Sequence, residues 1–196
     1  MPDAESHPKI LTPNSAATGL IERRSFIKKS ALWAGGVFFI ASRPEAIAGV
    51  QPANTFEKEY ILFLHRLRLR NISVADIYKA HQKQRGTVKN TLPPKSMWRN
   101  IGPTLKVADA TANVLRCRVT AVTSVYRSPA YNARCPGARR GSMHTRNLAI
   151  DIQYEASPSQ VAAALRRLRD RGAFRGGVGR YARFVHLDTR GENLDW

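Results

Sequence analysis

The chain has 196 residues, enough for one domain with a sizeable core, and its apolar content of 43% is ordinary for a globular protein. Only two cysteines occur, Cys117 and Cys135, and neither belongs to a C-x-x-C pair, which argues against a cysteine-ligated zinc site. The charge is far from ordinary: 32 Lys and Arg against 14 Asp and Glu give +18, which fits a polyanionic partner or a broadly solvated basic surface and names neither.

Residues 1–21 are polar and unpatterned, and are followed by ERRSFIKKSALWAGGVFFIASRPEAIAG. Arg23 and Arg24 precede Ser25, Phe26, Ile27 and Lys28, and this run resembles a twin-arginine export signal. The apolar stretch from Ala31 to Ala41 is too short to span a bilayer as a helix, which needs about twenty residues. Ala46-Ile47-Ala48 then supplies an A-x-A cleavage pattern. Residues 1–48 are therefore expected to be a signal peptide read by the twin-arginine export machinery, leaving a periplasmic protein with no stable membrane span after cleavage. An uncleaved anchor is the alternative. Residues 1–48 hold six basic and four acidic side chains, so the remainder keeps +16.

Residues 49–91 are expected to form an N-terminal helical segment. Phe56, Tyr60, Phe63, Leu64 and Leu67 recur at helical spacing. Leu67 and Leu69 then alternate with arginines, as in a helix end or a short strand. Ser73 is placed to cap VADIYKAHQ. His65 and His81 lack partners at ligand spacing and are expected to be surface or partly buried histidines, not ligands. Residues 83–98, KQRGTVKNTLPPKSMW, carry loop signals at Gly86 and Pro93-Pro94.

Pro103 is expected to open a helix through TLKVADATANVLR, leading into a Val- and Thr-rich strand, CRVTAVTSVY. YRSPAYN reads as a turn, RCPGARRGS as a mobile loop and NLAIDIQY as a second strand. SPSQVAAALRRLRDRG has Ser157 as N-cap, Pro158 at the first helical position and Gln160 completing a capping box. GGVGRY is expected to be a tight turn and ARFVHLDTR a third strand. A bridge between Cys117 and Cys135 would close a loop of about eighteen residues and stabilise by about 3 kcal/mol. Two separate thiols are the other outcome, because Cα separation decides it.

Alternation puts residues i and i+2 of a strand on one face. Phe184, His186 and Asp188 would share a face, as would Ala149, Asp151 and Gln153. Adjacent strands could then bring Asp151 and His186 to one metal ion, with His144 reaching in from the preceding loop. Two imidazoles and a carboxylate are a common ligand set for catalytic zinc. Taken one at a time, each residue has a plainer role: a salt-bridged strand-end carboxylate, a core histidine, a loop histidine.

SVYRSPAYN, the S-x-H-x6-D pattern ending at Asp151, and GGVGRY followed by FVHLDTRG and Trp196 together change that balance. From about Leu92 to Trp196 the chain resembles the zinc D-alanyl-D-alanine peptidases of bacterial walls, whose metal-site fold is shared with hedgehog signalling domains. The resemblance implies an α+β fold in which a small antiparallel sheet, flanked by helices, carries the zinc site, with residues 92–196 as the peptidase domain. It implies Zn2+ held by His144, Asp151 and His186. Arg127 would bind substrate and stabilise the developing oxyanion, and Tyr126 and Ser142 would lie against the substrate. Peptidoglycan stem peptides or cross-links would be cleaved, as by a carboxypeptidase or an endopeptidase.

One departure stands out. Many members carry a glutamate base three residues before the late zinc histidine, and that position here is Arg183, which cannot take up a proton. Others use a histidine two before it, where this chain has Phe184. Asp188 is then expected near the metal, as base or as a carboxylate orienting His186. A non-catalytic zinc-binding wall module is the alternative function. Nucleic acid is not an expected partner, since helix-turn-helix spacing, finger cysteines and an aromatic RNP-like strand are all missing from the sequence.

Overall fold

The computed structural model describes residues 54–196; the expected signal peptide lies outside these residues. Helix α1 (Thr55–Arg66) starts at Asn54, whose side chain accepts from the Glu57 amide, and buries Tyr60, Ile61 and Leu64. Leu67 is its C-cap, so the alternation at Leu67 and Leu69 marks a helix end. Helix α2 (Val74–His81) is capped by Ser73 as its sequence suggests. The connection between them is fixed from a distance. A carboxylate oxygen of Asp109 accepts from the backbone amides of Arg70, Asn71 and Ile72 at 3.0, 2.6 and 3.2 Å, giving three donors of a loop a single buried partner.

The stretch 83–98 is more ordered than its loop signals suggest. It contains a short hairpin, β1 (Gln84–Arg85) with β2 (Val88–Lys89), whose turn uses Gly86 at φ +57°. A 3₁₀ stretch, Lys95–Asn100, then buries Trp98. Helix α3 runs Ile101–Leu115, two residues ahead of the proline expected to open it; Pro103 lies in the first turn, where a missing N–H costs nothing. YRSPAYN contains a one-turn helix, α4 (Pro129–Asn132), capped by Ser128.

Among the described residues the main sheet has five strands in the order β3 (Val119–Ser124), β4 (Ala149–Tyr154), β6 (Val185–Asp188), β5 (Gly177–Arg180), β7 (Leu194–Asp195). Two expectations are corrected here. The glycine-rich stretch expected as a turn contains a strand, β5. The sheet is mixed rather than antiparallel, because β7 pairs parallel to β5. An α+β fold with small sheets and helices is the observed class. Helix α5 (Pro158–Asp170) begins with both halves of the Ser157–Gln160 capping box in place.

Period-two alternation sorts the sheet's faces. Ile150, Ile152 and Tyr154 of β4, Val185 and Leu187 of β6, and Val178 of β5 join the core, with Leu105, Ala108 and Ala112 of α3 and Val161 and Leu165 of α5. The intervening residues, Asp151, His186 and Asp188, therefore belong to the opposite face. Tyr60, Leu64 and Ile77 of the first two helices pack into that same core. Cys117 and Cys135 are both free and half-buried.

Candidate metal centre

The register between strands builds the site. Asp151 on β4 pairs with His186 on β6, and Ser124 at the end of β3 pairs with Asp151 from the other side. His144 comes from a 3₁₀ turn, Met143–Arg146, capped by the Ser142 side chain and closed by Asn147 in the left-handed conformation, φ 54°. That turn is tied down at both ends. The Asn147 amide side chain donates to the Met97 carbonyl, and the His144 carbonyl accepts from the Arg127 amide.

The result is a buried triad. One ligand atom each from His144, Asp151 and His186 lies within 4.8 Å of the others. His144 Nδ1 lies against the Val125 carbonyl, and His186 Nε2 against Asp188 Oδ2 at 3.0 Å. Both partners are acceptors, so those ring nitrogens carry the protons whenever a cation takes the other two. The other two nitrogens, His144 Nε2 and His186 Nδ1, face one oxygen, Asp151 Oδ1, at 3.1 and 2.8 Å.

Three electron-pair donors facing one another in a buried site repel unless a cation joins them. Extra protons are a poor solution at His144, because burial pulls its pKa below the ordinary value against the upward pull of Asp151. Burial also opposes protonation of His186, but hydrogen bonds to Asp151 and Asp188 carry its pKa upward on balance. Burial alone would raise the Asp151 carboxyl, yet the two histidines hold it far below the usual carboxylate range. An ionised carboxylate and two pre-set imidazoles fit a divalent cation with an open fourth position.

Arg127 sits against this group. Its Nε donates to Ser124 Oγ at 2.7 Å and its Nη2 to Asp151 Oδ2. The turn that carries it is pinned by Asn90, whose side-chain nitrogen donates to the Tyr126 carbonyl while its oxygen accepts from the Ser128 amide. The triad opens into a cleft of about 580 Å³. Arg127, Arg139 and Arg190 line it, with an aromatic wall of Tyr181, Phe184 and Trp196. Tyr181 and Phe184 stack at 4.5 Å, and Trp196 Nε1 donates to the Tyr181 hydroxyl at 3.0 Å.

Not every expected site residue faces that cleft. Ser142 lines it, with its hydroxyl turned to the His144 amide. Tyr126 is buried and outside the lining, so its place is in the packing beneath the arginine turn. Asp188 is fully buried behind His186 and likewise outside the lining. Its oxygens accept from His186, from the Gly177 amide and from Arg190, and these bonds outweigh burial and hold its pKa low. That position suits an orienting carboxylate and not a proton acceptor in the cleft. His81, expected at the surface or partly buried, is instead fully buried against Tyr60.

Sequence reasoning passed over Arg190 and the aromatic wall as site residues. Strand alternation continued two positions past Asp188 reaches Arg190. Alternation already puts Phe184 on the His186 face, but no local signal places Trp196, which arrives only through β7. Comparison with known proteins gives no curated protein and no solved structure that matches. A family model does match residues 70–188, a span that holds the triad, Arg127 and Asp188, and on that match the chain belongs to the peptidase family described as Peptidase M15.

Proposed function

We propose that this metallopeptidase is a zinc enzyme, exported to the periplasm, that hydrolyses peptide bonds in peptidoglycan stem peptides or cross-links. The observation that carries this reading is the convergence of the His144, Asp151 and His186 lone pairs at the floor of an arginine-lined cleft. Zinc bound there would supply Lewis acidity toward a carbonyl and toward water. The remaining chemistry belongs to the chain. Arg127 bridges Ser124 and Asp151, and its positive charge is placed to stabilise negative charge on a substrate oxygen. Arg139 and Arg190 add positive charge to the same cleft, which favours a substrate bearing free carboxylates, as wall stem peptides do. The net +16 outside residues 1–48 acts in the same direction over the whole surface.

A second reading, a non-catalytic zinc-binding wall module, is favoured by the carboxylate inventory. Asp151 and Asp195 are the acidic residues in the cleft lining. The first is committed to the triad and the second to Arg166 and Arg169. The exposed Arg183 stands where a base would be expected.

One experiment separates the two. Purified protein is assayed for zinc stoichiometry, and for products released from sacculi and from defined stem peptides by mass spectrometry. The enzyme reading expects one zinc per chain and release of D-alanine or of cross-linked fragments, both abolished in His144→Ala. Stoichiometric zinc with no peptide bond cleaved would establish the binding module. Full zinc occupancy in His144→Ala would overturn the ligand assignment.

A further inference from the structure

Arg190 lies just beyond the strand that carries His186 and Asp188, and its guanidinium meets Asp188 edge to edge. Its Nε donates to Asp188 Oδ1 at 2.8 Å and its Nη2 donates to Oδ2, while its own backbone amide adds a third bond to Oδ1 at 3.1 Å. The Gly177 amide also reaches Oδ1, at 3.1 Å, which leaves Oδ2 for the guanidinium and for His186 Nε2 at 3.0 Å. Asp188 is 0% exposed. On its other side the guanidinium lies over the Trp196 ring, 5.5 Å from its centre. The fork is thus clamped between a buried carboxylate and an aromatic face, and its planar shape fixes the rotation of the carboxylate as well as balancing its charge.

We propose that Arg190 is a positioning residue of the metal centre. It holds Asp188 in the one orientation in which Oδ2 accepts from His186 Nε2, and so keeps His186 Nδ1 bare and turned toward Asp151 and the metal. Metal ligation by His186 is taken from the function proposed above, and the wall-peptide substrate plays no part. Without the guanidinium, the buried carboxylate loses its counter-charge and one of its two Oδ2 donors. The carboxylate is then free to rotate, and the imidazole loses the fixed acceptor that sets its tautomer. A surface ion pair would do none of this, because neither partner would be held in a single orientation.

The test uses Arg190→Met, Arg190→Lys, Asp188→Asn and the double variant Asp188→Asn with Arg190→Met. Two quantities are read: the Zn2+ dissociation constant by competition with a chelator, and the Nε2–H signal of His186 in the metal-free protein by 15N chemical shifts. Arg190→Met should weaken zinc binding by about 10–100-fold and weaken or shift the Nε2–H signal of His186. Arg190→Lys, which restores the charge but not the fork, should recover only part of either. Because Arg190 acts through Asp188, the double variant should bind zinc no more weakly than Asp188→Asn alone.

Unchanged zinc affinity and an unchanged Nε2–H signal in Arg190→Met would overturn the proposal, as would losses that add in the double variant. If Arg190→Met fails to fold, the lysine variant carries the same comparison, and full wild-type values there would count against a role for the fork. A wild-type protein that binds no zinc would overturn the metal centre itself, while the Nε2–H signal would still decide whether Arg190 sets His186.

Discussion

His81 and His144 are both buried imidazoles, and their neighbours make one a packing residue and the other a ligand candidate. His81 Nε2 accepts from the Tyr60 hydroxyl at 3.0 Å among core side chains, with no carboxylate hydrogen-bonded to it. Burial pulls its pKa down to about 3. His144 has one nitrogen fixed by a carbonyl and the other aimed at Asp151. The difference has a measurable consequence at His81. Between pH 6.5 and 3 the unfolded chain binds a proton there that the folded chain refuses. The stability contributed by the neutral imidazole is therefore present above pH 6.5 and lost as the pH falls toward 3. The slope reaches about 1.4 kcal/mol per pH unit. Urea unfolding of wild type and His81→Gln across that range should show a flatter pH dependence in the variant, with its zinc content unchanged above pH 6.5. Parallel profiles would mean that His81 titrates normally, and zinc loss would make it part of the metal site.

At the scale of elements, strand β5 shows why its glycines are needed. A Cβ at Gly177 would come within 2.6 Å of the Asp188 carboxylate, and one at Gly179 within 2.5 Å of the Trp196 indole. The stretch reads as a turn because glycine is the usual residue of turns. Here it is a strand whose missing side chains let a carboxylate and an aromatic wall approach its backbone. Gly179→Ala should push Trp196 off β5 and break its bond to the Tyr181 hydroxyl. Trp196 is 43% exposed and has room to move, so the loss of stability should lie near the low end of the overpacking range, about 1 kcal/mol. The same substitution made in a Trp196→Ala background should cost nothing. Equal losses in both backgrounds would show that the strand itself, and not the indole, resists the new methyl.

For the whole molecule, the proposed address and the charge lie in different parts of the chain. The twin-arginine stretch lies beyond the described residues and stands as a proposal with a direct check. Arg23→Lys combined with Arg24→Lys should leave the precursor in the cytoplasm, read by fractionation and immunoblot. Periplasmic accumulation equal to wild type would refute that route. The basic surface is a property of the folded part, since +16 remains outside residues 1–48. Arg127, Arg139 and Arg190 carry it into the cleft, where attraction of an anionic polymer would also place its carboxylates.

Signals carried by neighbouring residues were legible in the chain alone. The Ser157 capping box, the Ser73 cap, the strands around Asp151 and His186, and the alternation that puts those two on one face all depend on positions a few residues apart. The stretch from Ser142 to Asp151, with FVHLDTRG downstream, pointed to the donor set through the family resemblance it carries. Other features rest on contacts between distant segments. Whether Asp188 faces the cleft or stands behind His186 depends on where Gly177 and Arg190 put their donors. The aromatic wall exists because β7 returns parallel to β5 and lays Trp196 across two glycines. The depth of His81 is set by α1 folding back over α2, which lays Tyr60 against the imidazole. Local pattern determined which residues could do the chemistry; long-range packing decided which way each of them points, because orientation in a buried site is fixed by partners that the chain brings in from elsewhere.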